Sequence, residues 1–209
     1  MKTTGRPDAD PAARADARTA GLVLAAGAGR RMGTPKALIR DASGIPWVVR
    51  TARILTEAGC TPVVVVLGAA AETVRAELST EPVEIVEATD WPEGMSASLR
   101  TGLTRVTSAG SVDAVVVVPV DVPGLTVAAV ERVAAGAGPA ALVRATYGGM
   151  PGHPVVIGRA HWGGVIASAR GDEGARAYLR EHRADQVECG DVADGADVDT
   201  TADLPPGHH

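Results

Sequence analysis

Pro62-Val63-Val64-Val65-Val66-Leu67-Gly68 and Asp113-Ala114-Val115-Val116-Val117-Val118-Pro119 are the two stretches that decide the fold. Each is continuously apolar, rich in β-branched residues, bounded by turn formers and short enough for a strand. A strand with one wet face alternates apolar and polar side chains. An unbroken valine run is covered on both faces, as in a parallel sheet lying between two layers of helix. Gly21-Leu22-Val23-Leu24-Ala25-Ala26 reads as a third strand of the same kind.

Between these runs the apolar spacing becomes helical. A helix is predicted over 46–58, where Val48, Val49, Ala52, Ile54 and Leu55 recur at helical intervals. Pro46 suits its first turn and Gly59 its C-terminal cap. Further helices are predicted over 70–78, 94–106 and 126–135, and strands over 83–87 and 140–146, with mixed segments from there to Cys189. Strand–helix alternation predicts a doubly wound α/β fold with a mostly parallel sheet and helices on both faces. Ligands of such folds bind at the carboxyl ends of the strands.

The chain has 209 residues, which at roughly 150 per domain means one domain with tails. Residues 1–19 carry Pro7 and Pro11 with no apolar period and read as a disordered leader. Residues 20–204 form the domain, and 205–209 read as an unstructured end. Phe is absent and aromatics make up 2%, so the core is aliphatic and base-stacking platforms are missing. With a net charge of −5 as well, nucleic acid is not an expected partner. No apolar run approaches the roughly 20 residues of a membrane helix. The apolar segment 20–28 could pass for a signal-peptide core, but Asp8, Asp10 and Asp16 dilute the basic region before it. Cys60 and Cys189 are far apart and outside any CxxC, which excludes a disulfide scaffold and a zinc or iron–sulfur cluster. A cytoplasmic location is the simplest expectation.

The first strand runs into Gly27-Ala28-Gly29-Arg30-Arg31-Met32-Gly33-Thr34-Pro35-Lys36. Glycines after a buried strand let the backbone turn its N–H groups toward an anion, and Arg30, Arg31 and Lys36 add cations. Glycine plus cations at a strand end reads as a phosphate cradle. It is not a Walker loop, because Gly33 is followed by Thr34. Nor is it a dinucleotide fingerprint, because the gap from Gly29 to Gly33 is one residue too long. Asp121 lies just beyond an all-apolar strand, where packing gives a carboxylate no purpose; a hard oxygen ligand there suits Mg²⁺.

The loop resembles the Leu-Ala-Ala-Gly-x-x-x-Arg-Met-Gly-x-x-Lys signature of the MobA-like nucleotidyltransferases, and the molybdenum-cofactor cytidylyltransferase branch looks closest. Further blocks resemble the family in order: Gly94-Met95-Ser96-Ala97-Ser98-Leu99, Asp121-Val122-Pro123, Pro151-Gly152-His153-Pro154, Gly171-Asp172-Glu173-Gly174-Ala175-Arg176 and Asp197-Val198-Asp199-Thr200. The resemblance implies a Rossmann-like, three-layer α/β/α nucleotidyltransferase domain. It also implies Mg²⁺-dependent transfer from CTP (or GTP) to a phosphorylated acceptor such as molybdopterin, pyrophosphate release, and a molybdenum hydroxylase as a downstream partner.

Residue by residue, it assigns Arg31 and Lys36 to the triphosphate, with the backbone of Leu24, Ala25, Ala26, Gly27, Ala28 and Gly29 around the nucleotide. Arg30 falls at a variable family position. Gly94 and Ser98 would read the base. Asp121 would be catalytic and a metal ligand, with Asp199 as the second carboxylate and Asp197 as its alternate. His153 and Asp172 would lie on the acceptor side, although a lone His is more often structural and Asp172 also suits an N-cap for a helix starting near Gly174. Val122 stands where the family often has Gln or Met, so acceptor recognition is expected to differ. Other readings keep the fold: guanylyl transfer, another phosphorylated acceptor, a relative named as a reductase of nicotine blue, or a non-catalytic cofactor chaperone.

Overall fold

In the computed structural model, which describes residues 18–209, the first strand β1 (Thr19–Ala25) is paired on both edges. β2 (Val63–Leu67) and β4 (Ala114–Pro119) run parallel to it, with Val23 opposite Val65 on one side and Val118 on the other. These are the three runs read as buried strands, and they form the centre of the sheet. β3 (Glu84–Glu87) adds in parallel beyond β2. The other half is mixed: β6 (Met150–Gly158) is antiparallel to both β4 and β5 (Leu142–Tyr147), and β7 (Asp185–Glu188) is parallel to β5. The order is β3-β2-β1-β4-β6-β5-β7.

Strand alternation divides the core into two layers. Val23, Val65, Val116 and Val118 face α1 (Trp47–Glu57), α2 (Ala71–Glu77) and α4 (Val127–Ala134). Leu22, Leu24, Val64, Val66, Val115 and Val117 face α3 (Met95–Ser108), α5 (Arg159–Ser168) and α6 (Arg176–Glu181). Gly102 brings α3 down onto β1, since a Cβ there would stand 2.4 Å from a methyl of Leu22. Caps follow local chemistry: the Thr126 hydroxyl accepts from Ala129 N at 3.2 Å, and Gly59 takes a φ of 82° after α1.

The leader reading falls on residues 1–17, outside the described residues, and on Arg18 and Thr19, which are already committed to the sheet. Thr19 opens β1, and the carbonyl of Arg18 accepts from Asp113 N at 2.8 Å. The end of the chain departs from expectation. Arg40 and His209 exchange backbone hydrogen bonds at 2.8 and 3.0 Å, and Trp47 Nε1 donates to His208 Nδ1 at 3.0 Å. A buried indole needs a partner, and the C-terminal segment supplies it. No helix among the described residues is long and apolar enough to cross a membrane.

Deleting residues 205–209 leaves that indole and the Arg40 backbone unpaired. We expect a loss of about 1–3 kcal/mol, read from the midpoint of a urea titration.

Candidate active site

The sheet order reverses between β1 and β4, the place where an open α/β sheet leaves a crevice at its carboxyl edge. The glycine-rich loop leaves β1 there, and Asp121 leaves β4. The loop folds back on itself: Met32 N donates to Gly29 O at 2.9 Å, and Gly29 has a φ of 59°. A Cβ on Gly29 would lie 1.8 Å from the Thr34 carbonyl oxygen, so the reversal requires glycine. Gly27 faces open space. Among the described residues, the amides of Gly27, Ala28, Gly29, Arg30 and Arg31 donate to no protein acceptor. A run of free amides beside cations is a receptor for phosphate oxygens.

Lys36, at the start of a short 3₁₀ turn (Lys36–Leu38), crosses the crevice. Its ammonium donates to Asp121 Oδ2 and Asp199 Oδ1, each at 2.8 Å. Burial pulls the lysine pKa down, but the hydrogen bonds to both carboxylates outweigh it and hold the pKa above its ordinary value. The hydrogen bond from Lys36, with its charge, holds Asp199 below the usual carboxylate range. Asp199 reaches this point because the C-terminal segment runs along the loop after β4, with Val198 N donating to Asp121 O at 3.0 Å.

The same two oxygens suit a hard cation. They converge on one point, and no group of three His, Cys, Asp or Glu converges among the described residues. An ion that takes one or two carboxylates and completes its shell with water and phosphate oxygens fits that donor set.

A cavity of about 380 Å³ opens beside this cluster. Leu24, Ala26, Gly27, Ala28, Gly29, Lys36, Gly94, Ser98 and Asp121 line it, as do Trp91 and Asp172. Side-chain directions divide the remaining residues. Ala25 belongs to the core on the opposite face of the sheet, as strand alternation dictates. Arg30 lines the cavity, whereas Arg31 is 77% exposed and turns toward Asp199 at 3.6 Å. Asp172 borders this cavity and not the one that holds His153, and accepts from Met95 N at 3.3 Å, at the start of α3. It caps that helix, and not the one after Gly174. Val122 is 1% exposed in the core and borders neither this cavity nor the next.

Ser98 is buried at the cavity wall on the first turns of α3. Arg100 steadies the neighbouring turn (Trp91–Glu93) by donating to Asp90 at 3.0 Å and Glu93 at 2.9 Å. Trp91 is part of the cavity wall and packs against the core beneath it.

A second cavity of about 90 Å³ shares Leu24 and Met95 with the first and contains His153, Asp197, Arg144 and Arg176. Burial pushes the His153 pKa down to about 4, so the imidazole is neutral near pH 7. Burial, with the Asp121 charge next, raises the Asp197 pKa. Asp197 thus lines the smaller cavity while Asp199 holds Lys36.

A sheet crevice with free loop amides, a lysine and two convergent carboxylates defines a protein that handles the phosphates of a nucleotide. Residues 21–187 match the MobA-like NTP transferase domain; the chain belongs to that family and is a nucleotidyltransferase. It is 37% identical over 194 residues to nicotine blue oxidoreductase of Paenarthrobacter nicotinovorans, across 88% of this chain and 93% of that one. The crystal structure of Rv0371c from Mycobacterium tuberculosis H37Rv is similar with a TM-score of 0.75 at 28% identity, over 90% of this chain and 95% of that one. A manganese complex of Rv0371c gives 0.72 at 29% identity, over 89% and 95%. A nucleotidyl transferase from Methanothermobacter thermautotroptrophicus shares the fold, with a TM-score of 0.75 at 21% identity over 89% and 94%.

Two outcomes follow from this geometry. Gly29→Ala should cost about 1–3 kcal/mol and weaken nucleotide binding, read by denaturation and calorimetry. For His153, the folded pKa of about 4 lies below the ordinary 6.5, so between those values the unfolded chain binds more protons and stability falls as pH falls. His153→Gln should make the melting temperature less dependent on pH across that window.

Proposed function

We propose that the chain transfers CMP from CTP to a phosphorylated small acceptor of the molybdopterin kind, with Mg²⁺ as its metal and pyrophosphate as the leaving group. The observation that carries the reading is the meeting of Lys36, Asp121 and Asp199 beneath a loop of unpaired amides. In the reaction an oxygen of the acceptor phosphate bonds to the α-phosphorus. The bond from that phosphorus to the oxygen bridging the β-phosphate breaks, and pyrophosphate leaves with the electron pair. Both partners are anions, so catalysis here is chiefly positioning and charge neutralisation.

The amides of Gly27 to Arg31 would hold the phosphates, with Arg30 and Lys36 as the cations at the cavity. Arg31, the family's matched position, would swing in from the rim. Ser98 and the start of α3 would face the base, and Ala25-Ala26-Gly27 resembles the CTP-using branch more than the GTP-using one. A divalent ion held by Asp121 and Asp199 would neutralise charge on the α-phosphate and on the departing pyrophosphate. The manganese complex of Rv0371c supports a divalent-metal role in this family. His153 and Asp197 would border the acceptor.

Lys36 occupies the carboxylates until a triphosphate draws it off. Nucleotide and Mg²⁺ should therefore bind cooperatively, and Mg²⁺ alone should bind Lys36→Ala better than the unaltered chain.

A second reading comes from the relative named nicotine blue oxidoreductase. Hydride transfer requires a nicotinamide or flavin site, and the glycine spacing at 27, 29 and 33 does not form a dinucleotide fingerprint. Titration with CTP, GTP and NADPH, each with and without Mg²⁺, separates the readings. We expect CTP to bind with Mg²⁺; tight NADPH binding without any NTP binding would replace the transferase reading. Lys36→Ala should weaken CTP by about 1.5–3 kcal/mol. Asp121→Ala should abolish metal-dependent turnover while circular dichroism stays unchanged.

A further inference from the structure

Beyond the His153 cavity lies a wider chamber of about 510 Å³, lined by Arg144, Arg176, Arg180 and Arg183 with Pro151 and Leu179. It shares Arg144 and Arg176 with the His153 cavity, which in turn shares Leu24 and Met95 with the cavity beside Lys36. The three spaces are thus neighbours, set in a row from the loop after β1 to α6.

Many arginines elsewhere on this acidic chain meet carboxylates, as Arg53 meets Glu81, Arg75 meets Glu87 and Arg132 meets Asp191, while Arg50, Arg159 and Arg170 donate to backbone carbonyls. Among the described residues, none of the four chamber arginines has a carboxylate partner within ion-pair distance, and Arg144 Nε is buried without any hydrogen bond. Arg176 and Arg180 are one helical turn apart on α6 and so share a face. Burial and the neighbouring Arg176 charge both lower the Arg144 pKa, as expected of a guanidinium lacking its counter-ion.

Arg183 supplies an independent observation. It ends α6 in a Schellman turn: Ala184 N donates to Leu179 O at 2.9 Å and Arg183 N to Arg180 O at 3.3 Å. Its φ of 52° makes it the sole non-glycine residue with positive φ among the described residues. Glycine is the usual occupant of that position, and an arginine there disfavours the fold locally. Arg183 lines the chamber.

We propose that this chamber binds a second oxyanionic group of the acceptor, a phosphate or a carboxylate remote from the phosphate that reacts. The inference rests on the reading of nucleotidyl transfer to a phosphorylated acceptor, and within it favours acceptors anionic at both ends over molybdopterin, which carries a single phosphate and no carboxylate. Forked guanidiniums lining one space suit planar recognition of an oxyanion better than a single point charge would.

The test follows the arginine Nε–Hε NMR signals of the full chain during titration with inorganic phosphate and, separately, with malonate. Saturable shifts of Arg144 and Arg176 are expected, with the tighter anion identifying the group. Arg180→Glu should weaken that binding by about tenfold or more. Arg183→Gly should weaken it while the melting temperature holds or rises, an outcome that a purely structural arginine does not produce. Shifts that never saturate, or unchanged affinity in both variants, would overturn the proposal and leave the arginines to an acidic protein surface. CTP with Mg²⁺ is titrated against the same samples: failure of the unaltered chain to bind it counts against the transferase reading, whereas failure of phosphate and malonate alone counts only against the chamber.

Discussion

The Lys36 ammonium lies 2.8 Å from carboxylates that are 85 and 163 positions away along the chain. Lys36 and Asp121 are only 17% and 20% exposed, so their attraction acts through less water than a surface pair would have. Without the ammonium, Asp121 and Asp199 would repel each other at the mouth of a crevice. With it, the glycine loop, the end of β4 and the C-terminal segment are tied at one point. The backbone agrees: Val198 N bonds to Asp121 O at 3.0 Å and Asp194 N to Gly124 O at 3.3 Å, laying that segment along the β4 loop. An arrangement that holds together through one cation between two anions is also one that another cation can enter.

The central sheet was legible because its constraint is local. A strand buried on both faces must be apolar at every position, so Val63–Leu67 and Ala114–Pro119 announce themselves without any knowledge of their neighbours. In the second half β5 was legible, but β6 and β7 were not, for the complementary reason. β6 opens with Met150-Pro151-Gly152-His153, exposed or half-buried residues that make no apolar run, and its antiparallel course depends on a Gly148-Gly149 turn. The docked chain end was missed because its partner, the Trp47 indole, lies 161 residues away.

At the site, residue types were readable and directions only in part. Alternation along β1 could have separated Ala25 from Leu24 and Ala26, since one face of that strand is core throughout. Arg30 and Arg31 had no such period to sort them. Which one enters the cavity depends on the reversal at Gly29, a backbone φ that the glycine permits but does not dictate. Asp172 joins the larger cavity through a bond to Met95 N, 77 residues distant, that no local pattern encodes.

The oxidoreductase name of a 37% identical relative sharpens what the shared fold does and does not determine. A nicotinamide cofactor and a nucleoside triphosphate both carry phosphates, and free amides after β1 would serve either. The carboxylates separate the two chemistries. A dinucleotide laid across this crevice would bring its diphosphate toward Asp121 and Asp199, a repulsion that hydride transfer gives no reason to tolerate. Phosphoryl chemistry turns the same pair to use, because a cation bridging carboxylate and phosphate is what lets two anions approach. The acidic pair opposite the loop therefore weighs more than the loop itself in deciding which nucleotide this crevice is built to hold.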